Sequence, residues 1–149
     1  MRRTTAASPS LFATAEAVEE AFYDALERAD LDAMMALWAD EEDAVCVHPG
    51  GARLVGLPAI RAAWEELFRS SGMHIRPTDI KIYQSGTVSV HSVVEQIVVN
   101  GRMGAEVVRV LATNVYVKGP IGWQIVMHQA AAAADPDAPP VAAIQGLLH

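Results

Sequence analysis

His48 follows the short apolar run Val45-Cys46-Val47 and directly precedes Pro49-Gly50-Gly51. An imidazole titrates near neutral pH, so a histidine at the end of a strand can take or give a proton. The plainer role for it is to bond backbone and fix the turn. His128 lies in a second β-rich run and Gln129 follows it. Neighbours in a strand point to opposite faces, so only one of the two can face an interior. Asn114 and Tyr116 share one face of a third run, with Thr113 and Val115 on the other. An amide in an apolar strand needs partners, which a ligand or a neighbouring strand can supply. Trp38, Trp64 and Trp123 occupy apolar-periodic positions. Core packing is the default for all three, while Trp38 and Trp64 could also border a pocket. His91 and Glu95 share a strand face. A hairpin turn centred on residues 100–102 sets Glu95 opposite residues 107–108 and diagonal to Arg109. That predicts a structural ion pair or a polar pocket floor.

Other chemistries lack their residues. No H-x-x-x-H or C-x-x-C spacing occurs, so no metal site is expected. No G-x-S-x-G elbow or phosphate-cradling glycine loop is present, and no cofactor is expected. Cys46 is the single cysteine, so no internal disulfide forms; between two valines it reads as a small buried residue. Asp40-Glu41-Glu42-Asp43 lacks the alternating ligands and glycine of a calcium loop and reads as a solvated helix end. The net charge is −7, carried by residues 1–70, which hold 13 acids and 6 Lys or Arg. An acidic surface disfavours nucleic acid and anionic lipid. No run approaches membrane-spanning length and no signal peptide is evident, so a cytoplasmic protein without a membrane partner is expected.

The elements that position these residues follow from composition. Residues 1–70 hold 16 of 26 alanines, whereas residues 87–129 hold 12 of 17 valines. Alanine favours helix and valine strand, so helices come first and the sheet second, an α+β fold. Residues 1–13 read as a flexible arm. Thr14 is set to cap a helix whose buried face is Val18, Phe22, Ala25, Leu26 and Ala29, with Glu19, Glu20 and Glu27 off it. Asp30 caps a second helix with Leu31, Met34, Met35 and Trp38 on one side. A short hairpin, 44–48 and 53–55, precedes a third helix from Pro58 that stops at Ser70-Ser71-Gly72. Strands follow over 78–84, 87–99, 103–117 and 122–130, with turns at Asn100-Gly101 and Lys118-Gly119-Pro120. Two of these runs are apolar on both faces. One face takes the helices; the other needs a partner, which predicts a homodimer. Residues 133–149 form a low-complexity tail in which 141–148 could dock as a short helix.

Three stretches carry a family resemblance: FYDALERADLDAMMALWAD from Phe22, VCVHPGGARLVG from Val45 followed by PAIRAAWEELF, and ATNVYVKGPIGWQIVMHQA from Ala112. With the element order, they make residues 14–132 resemble the SnoaL-like branch of the nuclear transport factor 2-like superfamily, which includes polyketide cyclases and ketosteroid isomerases. The resemblance implies a cone-shaped α+β barrel, three N-terminal helices on a curved mixed or antiparallel sheet, enclosing a conical pocket in a dimer. It sets His48 where the isomerases carry their general base. Phe22 stands where they carry a carbonyl-polarising tyrosine and Thr113 where they carry a protonated acid, so steroid isomerisation itself is not expected. Tyr23, next to Phe22, points about 100° away on an ideal helix. The expected ligand is a small hydrophobic molecule held by Trp38, Trp64, Asn114, Tyr116 and His128, with His48 as base of a cofactor-free isomerase, cyclase or hydratase reaction. The alternative is a non-catalytic binding or assembly module whose pocket is filled by side chains. A cavity of about 300 Å³ or more containing His48 separates the two.

Overall fold

The computed structural model describes residues 12–70, 73–101 and 104–134. Phe12, which the sequence placed in the arm, packs against the core, and its carbonyl accepts the Trp123 N–H at 3.0 Å. The first helix, α1 (Ala15–Arg28), begins where Thr14 accepts the Ala17 N–H at 3.1 Å, which satisfies one of the free donors of the first turn. It ends at Ala29 in the left-handed region, φ 52°. Asp30 caps α2 (Leu31–Met35) through the Ala33 N–H, as its position predicted. This helix is a single turn and stops before Trp38, which instead bridges in parallel to Ile125.

The third helix, α3 (Leu57–Phe68), starts with Pro58 in its first turn and buries Ile60 and Trp64. The strands are β1 (Val45–Val47), β2 (Leu54–Val55), β3 (His74–Gln84), β4 (Val88–Gly101), β5 (Gly104–Gly119) and β6 (Gly122–Ala132). They form one sheet in the order β2-β1-β6-β5-β4-β3. All neighbours are antiparallel except β1 and β6, so the sheet is mixed. That parallel contact joins the short hairpin to the meander and sets Cys46 opposite His128.

The core lies between the helices and the inner sheet face, with Val18, Phe22, Leu26, Ile60, Trp64, Val93, Val110, Tyr116 and Ile125 packed together. β3 starts four residues earlier than its alternation indicated and carries Pro77 on the open edge, where no ladder donor is required. A bulge between Thr78 and Lys81 accommodates Asp79 at φ 46°. The β4–β5 ladder runs on to Gly101 opposite Gly104, beyond the turn read from Asn100-Gly101. Glu95 therefore pairs with Val110, not with residues 107–108, and Arg109 pairs with Gln96. Arg109 is exposed and Glu95 buried, on opposite faces, so the expected ion pair does not form. Asp40 to Asp43 are exposed, in a loop rather than a helix end. The tail expectation for residues 135–149 lies outside the described residues, as does most of the arm. No helix among the described residues is long and apolar enough to cross a membrane.

Candidate functional site

A cavity of about 360 Å³ opens between α1, α3 and the inner face of the sheet. Leu26, Leu67, Met73, Ile75, Ile97 and Val110 make its walls largely apolar. The polar residues that line it are His48, Glu95 and His128, with Trp64 beside them. Both histidines singled out from sequence are thus brought to one space, and its volume exceeds the threshold set above.

His48 is positioned by the turn that leaves β1. Gly51 N–H donates to the His48 carbonyl at 2.8 Å, and Gly50 sits at φ 74°, a conformation that suits glycine. A Cβ at Gly51 would press on that carbonyl at 3.2 Å. The His48 ring meets Trp64 edge-on, with centroids 4.4 Å apart. Burial lowers its pKa from the ordinary histidine value, so the ring is neutral at pH 7. Its Nε2 is buried and has no hydrogen-bond partner among the described residues. The Trp64 Nε1 is likewise buried and without a partner among them.

Glu95 reaches the same space from β4. Burial raises its pKa to about 7, and the charge of Glu19 pushes the same way. The Tyr23 hydroxyl, which donates to Glu95 Oε2 at 2.7 Å, opposes this but does not cancel it. A carboxyl held near neutrality inside an apolar cavity is suited to donate a proton, because burial keeps it protonated where an exposed carboxyl is not.

Behind this wall lies a buried polar frame. Asn114 Nδ2 donates to Glu19 Oε2 and to the Tyr23 hydroxyl oxygen, both at 3.1 Å. Tyr116 donates its hydroxyl to the same Glu19 oxygen. His91 Nδ1 lies 3.0 Å from Glu19 Oε1, close but off hydrogen-bond alignment. Asn114 Oδ1 lies 2.6 Å from His128 Nδ1. Burial, helped by His48, pushes the His128 pKa down to about 3. Burial also pushes the Cys46 thiol up to about 12, which fits the small buried residue read from its neighbours.

The sequence-derived residues divide accordingly. His48, Trp64 and His128 line the cavity, whereas Asn114 and Tyr116 stand in the frame behind it. Trp38 is 2 % exposed and lies outside the cavity wall, bridged to Ile125. Two residues were passed over. Glu19, placed on the solvated side of α1, is only 4 % exposed. Its spacing of four from Tyr23 was the available signal, since the two share a helix face. Tyr23 was set aside for pointing away from the position of Phe22, yet it binds Glu95. Glu95 was read as an ion pair or a polar pocket floor, and it lines the cavity. Among the described residues no three His, Cys, Asp or Glu side chains converge as a metal site requires.

Comparisons with known proteins agree with this geometry. A Thiobacillus denitrificans protein, named as a candidate calcium/calmodulin-dependent protein kinase type II association domain, is 31% identical, with a TM-score of 0.77 over 85% of this chain and 100% of its own. A candidate dehydratase of the nuclear transport factor 2-like family from Streptomyces avermitilis is 25% identical, with a TM-score of 0.71 over 80% of this chain and 94% of its own. A ketosteroid isomerase-like protein from Erwinia carotovora atroseptica, at 19% identity and a TM-score of 0.65 over 80% and 94%, shares the fold. No curated protein sequence matches the chain. The profile of the SnoaL-like domain matches residues 15–135, and the chain belongs to that family, within the nuclear transport factor 2-like superfamily.

Proposed function

We propose that the chain binds a small, mostly apolar molecule in the conical cavity and moves a proton on it without a cofactor, in an isomerase, cyclase or hydratase type of reaction. The observation that carries this reading is that Glu95, with its pKa raised to about 7, and a neutral His48 line one apolar cavity. His48 acts as the base and Glu95 as the acid. Loss of water uses both, the base to take the carbon-bound proton and the acid to protonate the leaving hydroxyl, whereas a double-bond shift removes one proton and returns another. The name of the Streptomyces avermitilis neighbour as a candidate dehydratase is consistent with such chemistry. A lone buried thiol suits a reducing, cytoplasmic setting.

Native mass spectrometry of the purified protein identifies the co-purifying molecule. The wild type then converts that molecule, or exchanges deuterium into it, and His48→Gln does so at least about 100-fold more slowly. The variant stays folded, because the turn is held by backbone contacts rather than by the ring. Equal rates would reject His48 as the base.

A second reading, an assembly module, is favoured by the outer sheet face. There Val98 pairs directly with Val107 across the β4–β5 ladder, at 39 % and 61 % exposed, and Leu111, 49 % exposed, lies on the same face four residues along β5 beyond Arg109. The name of the Thiobacillus denitrificans neighbour as an association domain points the same way. The two readings are compatible, since cavity and apolar patch lie on opposite faces. Sedimentation at micromolar concentration is expected to give a dimer, and Leu111→Lys to give a monomer. A monomeric wild type would remove the pairing role of this face.

A further inference from the structure

Asn114 has one orientation that satisfies its neighbours. Its Nδ2 faces Glu19 Oε2 and the Tyr23 oxygen, and the Tyr23 proton is already committed to Glu95. Turning the amide over would set its oxygen against a carboxylate and against a hydroxyl with no proton to give. The amide oxygen therefore faces His128 Nδ1, at 2.6 Å. An amide oxygen only accepts, so Nδ1 carries a hydrogen. Full burial opposes a second proton on the ring. With one proton, on Nδ1, the ring leaves Nε2 bare. His128 lines the cavity, and Nε2 is the nitrogen it has left for a ligand.

We propose that the Glu19–Asn114–Tyr23 frame locks His128 in the Nδ1–H tautomer, so that its Nε2 selects a ligand carrying a hydrogen-bond donor. This rests on the reading of the cavity as a ligand site and names the ligand class: a neutral, mostly apolar molecule with a hydroxyl group, such as an alcohol, phenol or enol. Ethers of the same shape lack the donor. Carboxylates meet an acceptor nitrogen, a second carboxyl at Glu95 and no lysine or arginine among the described lining residues. Glu19 and Asn114 are positioning residues in this scheme, since neither touches the ligand.

The test uses the full chain and two measurements. Nitrogen-15 NMR of the labelled protein between pH 5 and 8 is expected to show His128 protonated at Nδ1 and bare at Nε2 throughout. Glu19→Gln, which lets the Asn114 amide turn, is expected to give a mixture of tautomers, a change that mere loss of stability does not produce. Calorimetry at pH 6.5 compares 2-naphthol, 2-methoxynaphthalene and 2-naphthoate. The naphthol is expected to bind at least about fivefold tighter than the methyl ether, the worth of one hydrogen bond, and the naphthoate weakest. His128→Phe, which keeps the cavity apolar, brings naphthol and ether to within about twofold of one another. A wild-type ring protonated at Nε2 overturns the tautomer lock. Equal binding of naphthol and ether overturns donor selection and leaves the cavity a ligand site. Binding of neither compound sinks the cavity reading itself, and the ligand class with it.

Discussion

Glu95→Gln is expected to slow proton transfer by at least about 100-fold and, at the same time, to make the protein more resistant to unfolding above pH 7. Both effects have one cause. The carboxyl titrates at about 7 in the folded chain against an ordinary value of 4.5, chiefly because burial penalises its charge. A folded pKa above the unfolded one means that the group's stabilising contribution is fully present below about pH 4.5 and is lost as pH rises through 7. Glutamine carries no charge to bury, so the stability gap between variant and wild type widens by about 2–3 kcal/mol between pH 5 and pH 8. Urea midpoints at the two pH values measure it. In kinetics, the wild-type kcat/KM falls on the alkaline side through about pH 7 as Glu95 loses its proton, and on the acid side as His48 gains one. The variant lacks the alkaline limb. Parallel stability curves for the two proteins would show that Glu95 is not held near neutrality. A retained alkaline limb would assign the acid to another group.

The wall of this site was more legible than the frame behind it. His48 was visible because a turn of proline and two glycines marks a strand end, and strand ends border cavities in a sheet covered by helices. That Asn114 and Tyr116 share a face followed from strand periodicity alone, whereas the direction of that face, inward, did not. Register was less accessible. The turn residues Asn100-Gly101 are a sound hairpin signal, but glycines at 101 and 104 allow the ladder to run on, which moves Glu95 from residues 107–108 to Val110. The parallel contact of β1 with β6 joins segments some 80 residues apart, and no local pattern encodes it. Glu19 was assigned to solvent because glutamate is seldom buried unless paired, and its partners Tyr116, Asn114 and His91 all lie on other elements. Burial of an acid is a tertiary property, settled by which donors the sheet delivers to it.

That delivery makes Glu19 the residue whose removal is expected to cost the most stability. Its Oε2 accepts from Tyr116 and Asn114, and its Oε1 lies against His91. Glu19→Ala leaves the buried Tyr116 and Asn114 donors without this acceptor. Each orphaned donor costs about 1–3 kcal/mol. Since a domain of this size holds only about 5–15 kcal/mol, the variant is expected to lose a large share of its stability, with the urea midpoint lowered and the slope unchanged. The adjacent Glu20 is exposed, so Glu20→Ala is expected to stay within about 0.5 kcal/mol of wild type. Glu19→Gln retains one acceptor oxygen and is the milder change. It also removes the negative charge that helps to raise the Glu95 pKa, so the alkaline limb of the rate profile moves to lower pH. A frame that served packing alone would yield the stability loss without that kinetic shift. The two measurements on one variant thus separate a buried acid that merely holds strands to a helix from one that also tunes the cavity it never touches.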